Sequence, residues 1–123
     1  MNLLYKQLTV NESIKIINSN NYCHLGLSSN NKPYVIPMNY KVINEQDKLY
    51  IELVSLKNTK KINILYNNCF VNICVEEVLD SSVISVICYG KVFAINNFDN
   101  DKVKILIQIE NISGRIICSN NYN

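Results

Sequence analysis

The chain is 123 residues long, 48% apolar and 18% charged, with a formal net charge of +2. That is one domain, residues 1–123, with enough chain for a core, and the composition excludes a disordered polymer. The charge is too small to point to nucleic acid, no apolar run reaches the length of a membrane span, and the start MNLLYKQLTVNES lacks the basic-then-apolar order of a secretory signal.

Thr9 and Glu12 have capping-box spacing, and Val10, Ile14 and Ile17 can share one face, so residues 9–18 are expected to form a short helix, ended by turn chemistry at 18–21. Residues 22–28 alternate as a strand, with Cys23, Leu25 and Leu27 towards the core and Tyr22, His24 and Ser28 on the other face. For His24 the simple reading is a surface or rim histidine; a catalytic one needs a partner. After a polar turn at 29–32, residues 32–43 (KPYVIPMNYKVI) read as the second strand of a hairpin, with Tyr34, Ile36, Met38, Tyr40 and Val42 on one apolar face. Pro37 has no N–H for a ladder. It marks either an edge strand guarded against aggregation, the preferred reading on this stretch alone, or, with Asn39, the wall of a site for a planar ligand.

A turn at 44–47 leads to a strand over 48–54, with Leu49, Ile51 and Leu53 facing one way and Tyr50 and Glu52 the other. In 55–68 the period changes: Ile62, Leu65 and Tyr66 recur at helical spacing, preceded by SLKNTKK. There Ser55 and Thr59 hydroxyls and Lys57, Lys60 and Lys61 amines gather where a helix start leaves free N–H groups and a positive dipole end. Such a set suits a phosphate monoester; without a Gly-rich loop, a capped and solvated helix start explains the same residues.

Residues 69–76 form an apolar strand suited to a central position. After a loop at 79–82, the strand 83–95 is interrupted by Gly90, expected as a bulge, with Ser85 and Tyr89 on one side where they can face a ligand or bond within the sheet rim. A turn at 96–101 precedes a strand over 102–112, with Val103, Ile105, Ile107 and Ile109 inward; 113–115 reads as a turn, 116–118 as a short strand, and 118–123 as a frayed tail. The expected class is mainly β with short helices (α+β), six main strands closing into a small antiparallel barrel. The five cysteines, 23, 69, 74, 88 and 118, have no CxxC spacing and read as reduced, buried small hydrophobes of a cytoplasmic protein. With His24 as the single histidine, no metal site is expected.

The ordered set YCHLGLSSNNKPYVIPMNY, LYIELVS, a Thr-Lys-Lys helix start, CFVNICVE and SVICYGKVFAI resembles the pyridoxamine 5'-phosphate oxidase-like FMN-binding split barrels over residues 9–117. The nearest branch is that of the nitroimidazole-resistance flavoproteins. The resemblance implies a six-stranded split barrel working as a homodimer, with FMN in clefts between the two barrels. It places Pro37, Met38, Asn39 and Tyr40 along the isoalloxazine, Ser55, Thr59 and Lys60 at the phosphate, and Ser85 and Val86 near the ring, from the partner subunit. It implies a small NAD(P)H-dependent flavin reductase, with a flavin-binding dimer without turnover as the alternative; hydride chemistry belongs to the flavin, so no catalytic cluster is required. Three positions depart from the pattern. Glu52 stands about where nitroimidazole-resistance relatives carry a histidine, which speaks against that substrate. Arg115 as the lone arginine speaks against pyridoxamine phosphate. Residues 96–101 are too short for the helix that many relatives insert.

Overall fold

The computed structural model describes residues 3–119, in the order β1 (Leu3–Gln7), α1 (Val10–Asn18), β2 (Tyr22–Ser29), β3 (Lys32–Asn39), β4 (Lys41–Glu45), β5 (Lys48–Leu56), α2 (Lys60–Asn67), β6 (Phe70–Val78), β7 (Ser82–Asn97) and β8 (Lys102–Ser119). All pairing is antiparallel, and the sheet runs β3-β2-β6-β7-β8-β5-β4, with β1 added on β8. The sheet curls round one core without closing: β3 and β4 are its edges, and inward residues from both halves, Leu25, Ile73, Val86, Ile105, Ile51 and Leu53 among them, share a single cluster. This is the split-barrel architecture, mostly antiparallel sheet with two helices.

The local signals explain the elements. Glu12 N–H donates to Thr9 Oγ1 at 3.1 Å and Thr9 N–H to Glu12 Oε1 at 2.9 Å, the reciprocal capping box that starts α1. Its buried face is Ser13 and Ile17 with Ile16 beside them, not the Val10–Ile14 side; Val10 is exposed. Asn30 and Asn31 (φ 52° and 62°) turn β2 into β3, and Gln46 and Asp47 (φ 51° and 63°) turn β4 into β5, two-residue hairpins that need the left-handed region.

Eight strands replace the six main ones expected, for two reasons. Residues 3–7 add a short strand beside the end of β8. The 32–43 strand changes partner at Tyr40: β3 pairs β2, while β4 pairs β5 on the other side of the opening. The pleat continues through the change, so the apolar alternation hides it. The expected turn at 113–115 is straight strand, because β7 pairs with β8 along its whole length and β1 with its far end. Gly114 serves packing, not turning: a Cβ there would collide with the Ser13 hydroxyl of α1. Gly90 behaves as expected, with the register slipping at Tyr89/Gly90 and again at Val92/Ala94. A Cβ on Gly90 would strike the Gln108 carbonyl. Of the expected frayed tail, 118 and 119 belong to β8, and 120–123 lie outside the described residues.

All five cysteines are free; Cys23 and Cys88 are buried, Cys74 and Cys118 half-buried, and Cys69 is exposed, contrary to its expected burial. Among the described residues no helix is long and apolar enough to cross a membrane, and no group of three or more His, Cys, Asp or Glu is placed to hold a metal.

Candidate functional site

β5 ends at the rim of the barrel, and the chain turns there into α2, whose Ile62, Ile64 and Leu65 are buried. That anchorage fixes the helix phase. Lys61, three and four residues before Ile64 and Leu65, is drawn inward, and its Nζ donates to Ser55 Oγ at 2.9 Å and to Thr59 Oγ1 at 3.4 Å. Ser55 is 5% exposed, and its hydroxyl donates to the Leu56 carbonyl at 2.9 Å. Thr59 is the N-cap of α2, but its side chain caps nothing in the helix; its hydroxyl turns back to the Leu56 carbonyl at 3.4 Å.

Two features of this cradle call for an anion. The first-turn N–H groups of a helix lack intrahelical partners, and here neither a side-chain cap nor an acidic residue in the first turn answers them. The Lys61 ammonium is bonded to neutral hydroxyls, and none of the carboxylate pairs found among the described residues includes it. Burial pushes its pKa below the ordinary lysine value, with no neighbouring charge to offset the loss of water.

Lys60, the lysine singled out in the sequence, goes elsewhere. Its Nζ lies 4.8 Å over the Tyr34 ring of β3, so it links the helix start to the sheet edge and does not reach Ser55 or Thr59. The adjacent lysines cannot be told apart by type; the signal that separates them is helix phase, set by Ile62, Ile64 and Leu65.

The ring-side candidates divide by strand face. Pro37 and Asn39 are exposed on the outward face of edge strand β3, Pro37 opposite His24 and Asn39 opposite Tyr22 of β2. The edge position satisfies the ladder problem of Pro37 and leaves the wall open. Met38 faces inward and packs against the core. Tyr40 is buried, its hydroxyl donating to the Ile17 carbonyl at 2.6 Å, with its pKa raised by burial and by the nearby Cys23 and Cys88. Tyr40 therefore ties the junction of β3 and β4 to α1 and offers no side chain to a ligand. Val86 is 0% exposed, a core residue. Ser85 is outward, opposite Glu76 of β6 and Arg115 of β8, with its hydroxyl 3.8 Å from Cys74 Sγ. Ser55, Thr59 and Lys61 thus meet in one place; Pro37, Asn39 and Ser85 share an outward sheet face; Met38, Tyr40 and Val86 contribute by packing.

Two grooves lie on the chain, the first away from this wall and the second farther along the same outward face. One of about 510 Å³ runs between α1 and β8, lined by Val10, Ile14, Leu49 and Ile109 among others. A shallower one exposes Val35, Phe70 and Tyr89 around Gly26.

The sequence matches the family model described as pyridoxamine 5'-phosphate oxidase over residues 9–115. The chain belongs to the pyridoxamine 5'-phosphate oxidase family. The matched span includes every candidate residue above. No curated protein gives a significant match. Solved structures share the fold at low identity. An FAD-binding protein from Mesorhizobium loti superposes with a TM-score of 0.82 at 20% identity, covering 96% of this chain and 100% of that one. A candidate 5-nitroimidazole antibiotic resistance protein from Bacteroides thetaiotaomicron gives 0.77 at 19%, covering 95% and 90%. An FAD-binding protein from Mycobacterium smegmatis gives 0.74 at 19%, covering 92% and 98%. Family membership and these folds agree with the resemblance drawn from the sequence blocks.

Proposed function

We propose that this chain binds FMN by its phosphate at Ser55, Thr59 and Lys61 and works as a small flavin-dependent oxidoreductase. The observation that carries the reading is the partly buried Lys61 ammonium, held by two neutral hydroxyls at an uncapped helix start: a cation desolvated by the fold and supplied with donors but no anion. A phosphate there accepts from Lys61 Nζ and the first-turn N–H groups of α2, and both hydroxyls can turn to it.

When bound, the flavin supplies hydride transfer between a nicotinamide donor and a small acceptor. The chain's part is to fix the tail in the cradle and to offer Pro37 and Asn39 as an open wall beside the ring. Because that wall is exposed on a sheet edge, a second copy of the chain would complete the cleft, with Ser85 approaching from the partner; we take the working form to be a homodimer with FMN at the subunit interface. The compact cradle favours a monoester tail, FMN over FAD, although two of the structural neighbours are described as FAD-binding proteins. Five free thiols suit a reducing compartment such as the cytoplasm.

The test is flavin uptake followed by reduction. Purified protein titrated with FMN, FAD and riboflavin should quench FMN fluorescence most tightly and riboflavin least, and NADH or NADPH should bleach the bound flavin. No uptake of any flavin overturns the reading. Bound flavin that dithionite bleaches and neither nicotinamide does assigns a flavin-holding dimer without turnover.

A further inference from the structure

The outward face of the sheet carries a second group of reactive side chains that the phosphate cradle does not use. His24 lies on β2 with Pro37 directly opposite on β3 and Cys74 directly opposite on β6. Its ring is the single imidazole of the chain. Two neighbours flank it. His24 Nδ1 is 4.0 Å from Glu76 Oε1, both side chains being about half exposed, 46% and 47%. The Tyr22 ring meets it edge-on, with centroids 5.8 Å apart and planes at 78°. With Nδ1 turned to the carboxylate, Nε2 is the nitrogen left for another partner. Side chains directly opposite across antiparallel strands stand about 4.5–5.5 Å apart at Cβ, so the imidazole borders the same open wall as Pro37.

We propose that His24 is the acid–base residue of the flavin site, positioned by Glu76, and that the acceptor is a polarised double bond that must take up a proton. This rests on the flavin reading above. In the step, a quinone or other conjugated carbonyl acceptor receives a hydride from the reduced flavin and a proton on oxygen from His24 Nε2. The acceptor gains two electrons and two hydrogens, the flavin is oxidised, and water returns the proton to the imidazole. The groups facing His24 are Tyr22 on β2, Cys74 and Glu76 on β6, and the non-titrating Pro37 and Asn39 on β3. Burial pushes the Cys74 thiol up, which keeps it neutral. Glu76 is therefore the charged group that faces the imidazole.

The experiment uses the untagged full chain. Its single imidazole C–H resonance is titrated with pH, with and without FMN, and turnover is measured with p-benzoquinone and with ferricyanide, an acceptor that takes electrons and no proton. FMN should shift the His24 resonance. His24→Gln should lower the quinone-to-ferricyanide turnover ratio at least tenfold, within the range of general acid catalysis. Quinone turnover in the native chain should fall as rising pH removes the proton that His24 donates, while ferricyanide turnover should not follow it. If FMN binds and the resonance stays still, or the His24→Gln ratio equals that of the native chain, the proposal is overturned with the flavin reading intact. If no FMN binds, both fall together.

Discussion

Replacing Lys61 separates the two adjacent lysines by their surroundings. In Lys61→Ala the bound phosphate loses a charge-assisted hydrogen bond in a partly desolvated site, about 1.5–3 kcal/mol, or roughly 10- to 140-fold in FMN affinity. Lys60→Ala removes an exposed cation over Tyr34 that does not reach the cradle, so its cost of about 0.5–1 kcal/mol falls on stability and FMN affinity should change little. Riboflavin, which lacks the phosphate, supplies the control: its affinity should be the same for both variants and the native chain. The apoprotein supplies another. Because burial disfavours the Lys61 charge, its removal should leave the melting temperature of the flavin-free chain unchanged or higher, while the stabilisation conferred by saturating FMN shrinks. Flavin fluorescence titration and thermal melts with and without FMN read all of this. A larger loss in Lys60→Ala than in Lys61→Ala, or an equal loss for riboflavin and FMN, would refute the cradle.

The remaining predictions concern pH and packing. With its pKa lowered in the fold, Lys61 loses its proton at a pH where the unfolded chain still holds it; unfolding then binds more protons, so flavin-free stability from this group rises with pH through that window. FMN affinity runs the other way, weakening above the native Lys61 pKa, and affinity constant well into the alkaline range would contradict the assignment. Tyr40→Phe should cost about 1 kcal/mol by denaturant melt, through the lost hydrogen bond to the Ile17 carbonyl, with no direct effect on flavin affinity; a large affinity loss at unchanged stability would put Tyr40 back in the site. Gly90→Ala should destabilise by about 1–3 kcal/mol, because the new Cβ meets the Gln108 backbone and the sheet has to shift; an unchanged melting temperature would show that the bulge adapts.

Much of this architecture was legible wherever the deciding interactions are local. The Thr9–Glu12 box and the inward set Cys23, Leu25 and Leu27 each depend on neighbours within a few residues or on the two-residue pleat. The misread features depend on distant chain. Ser113-Gly114-Arg115 has turn chemistry, yet Gly114 is glycine because Ser13 of α1 sits against it. Met38, Tyr40 and Val42 keep alternating through the point where the strand changes partners, so pattern alone could not mark the edge of the opening. The site follows the same division. That the 55–61 segment would gather hydroxyls and amines was readable; that Lys61 and not Lys60 turns inward required the phase of α2, and that Tyr40 and Val86 spend their side chains on the core required their partners.

The two ends of the proposed flavin site make unequal demands on the fold. At the phosphate end, Ser55, Thr59 and Lys61 come from one continuous segment, braced by the buried face of α2, so a single chain suffices. At the ring end, Pro37 and Asn39 are exposed on an edge strand, and Ser85 stands on β7, separated from β3 by β2 and β6. A planar ring laid on that wall would keep one face in water, and a tail contact alone cannot fix its orientation for hydride transfer, which depends on the reacting atoms being held close and aligned. A protein of this size gains an enclosed ring site most simply by meeting its own copy there. The open sheet edge, which in an isolated barrel invites aggregation, becomes under this reading the surface that a second subunit covers.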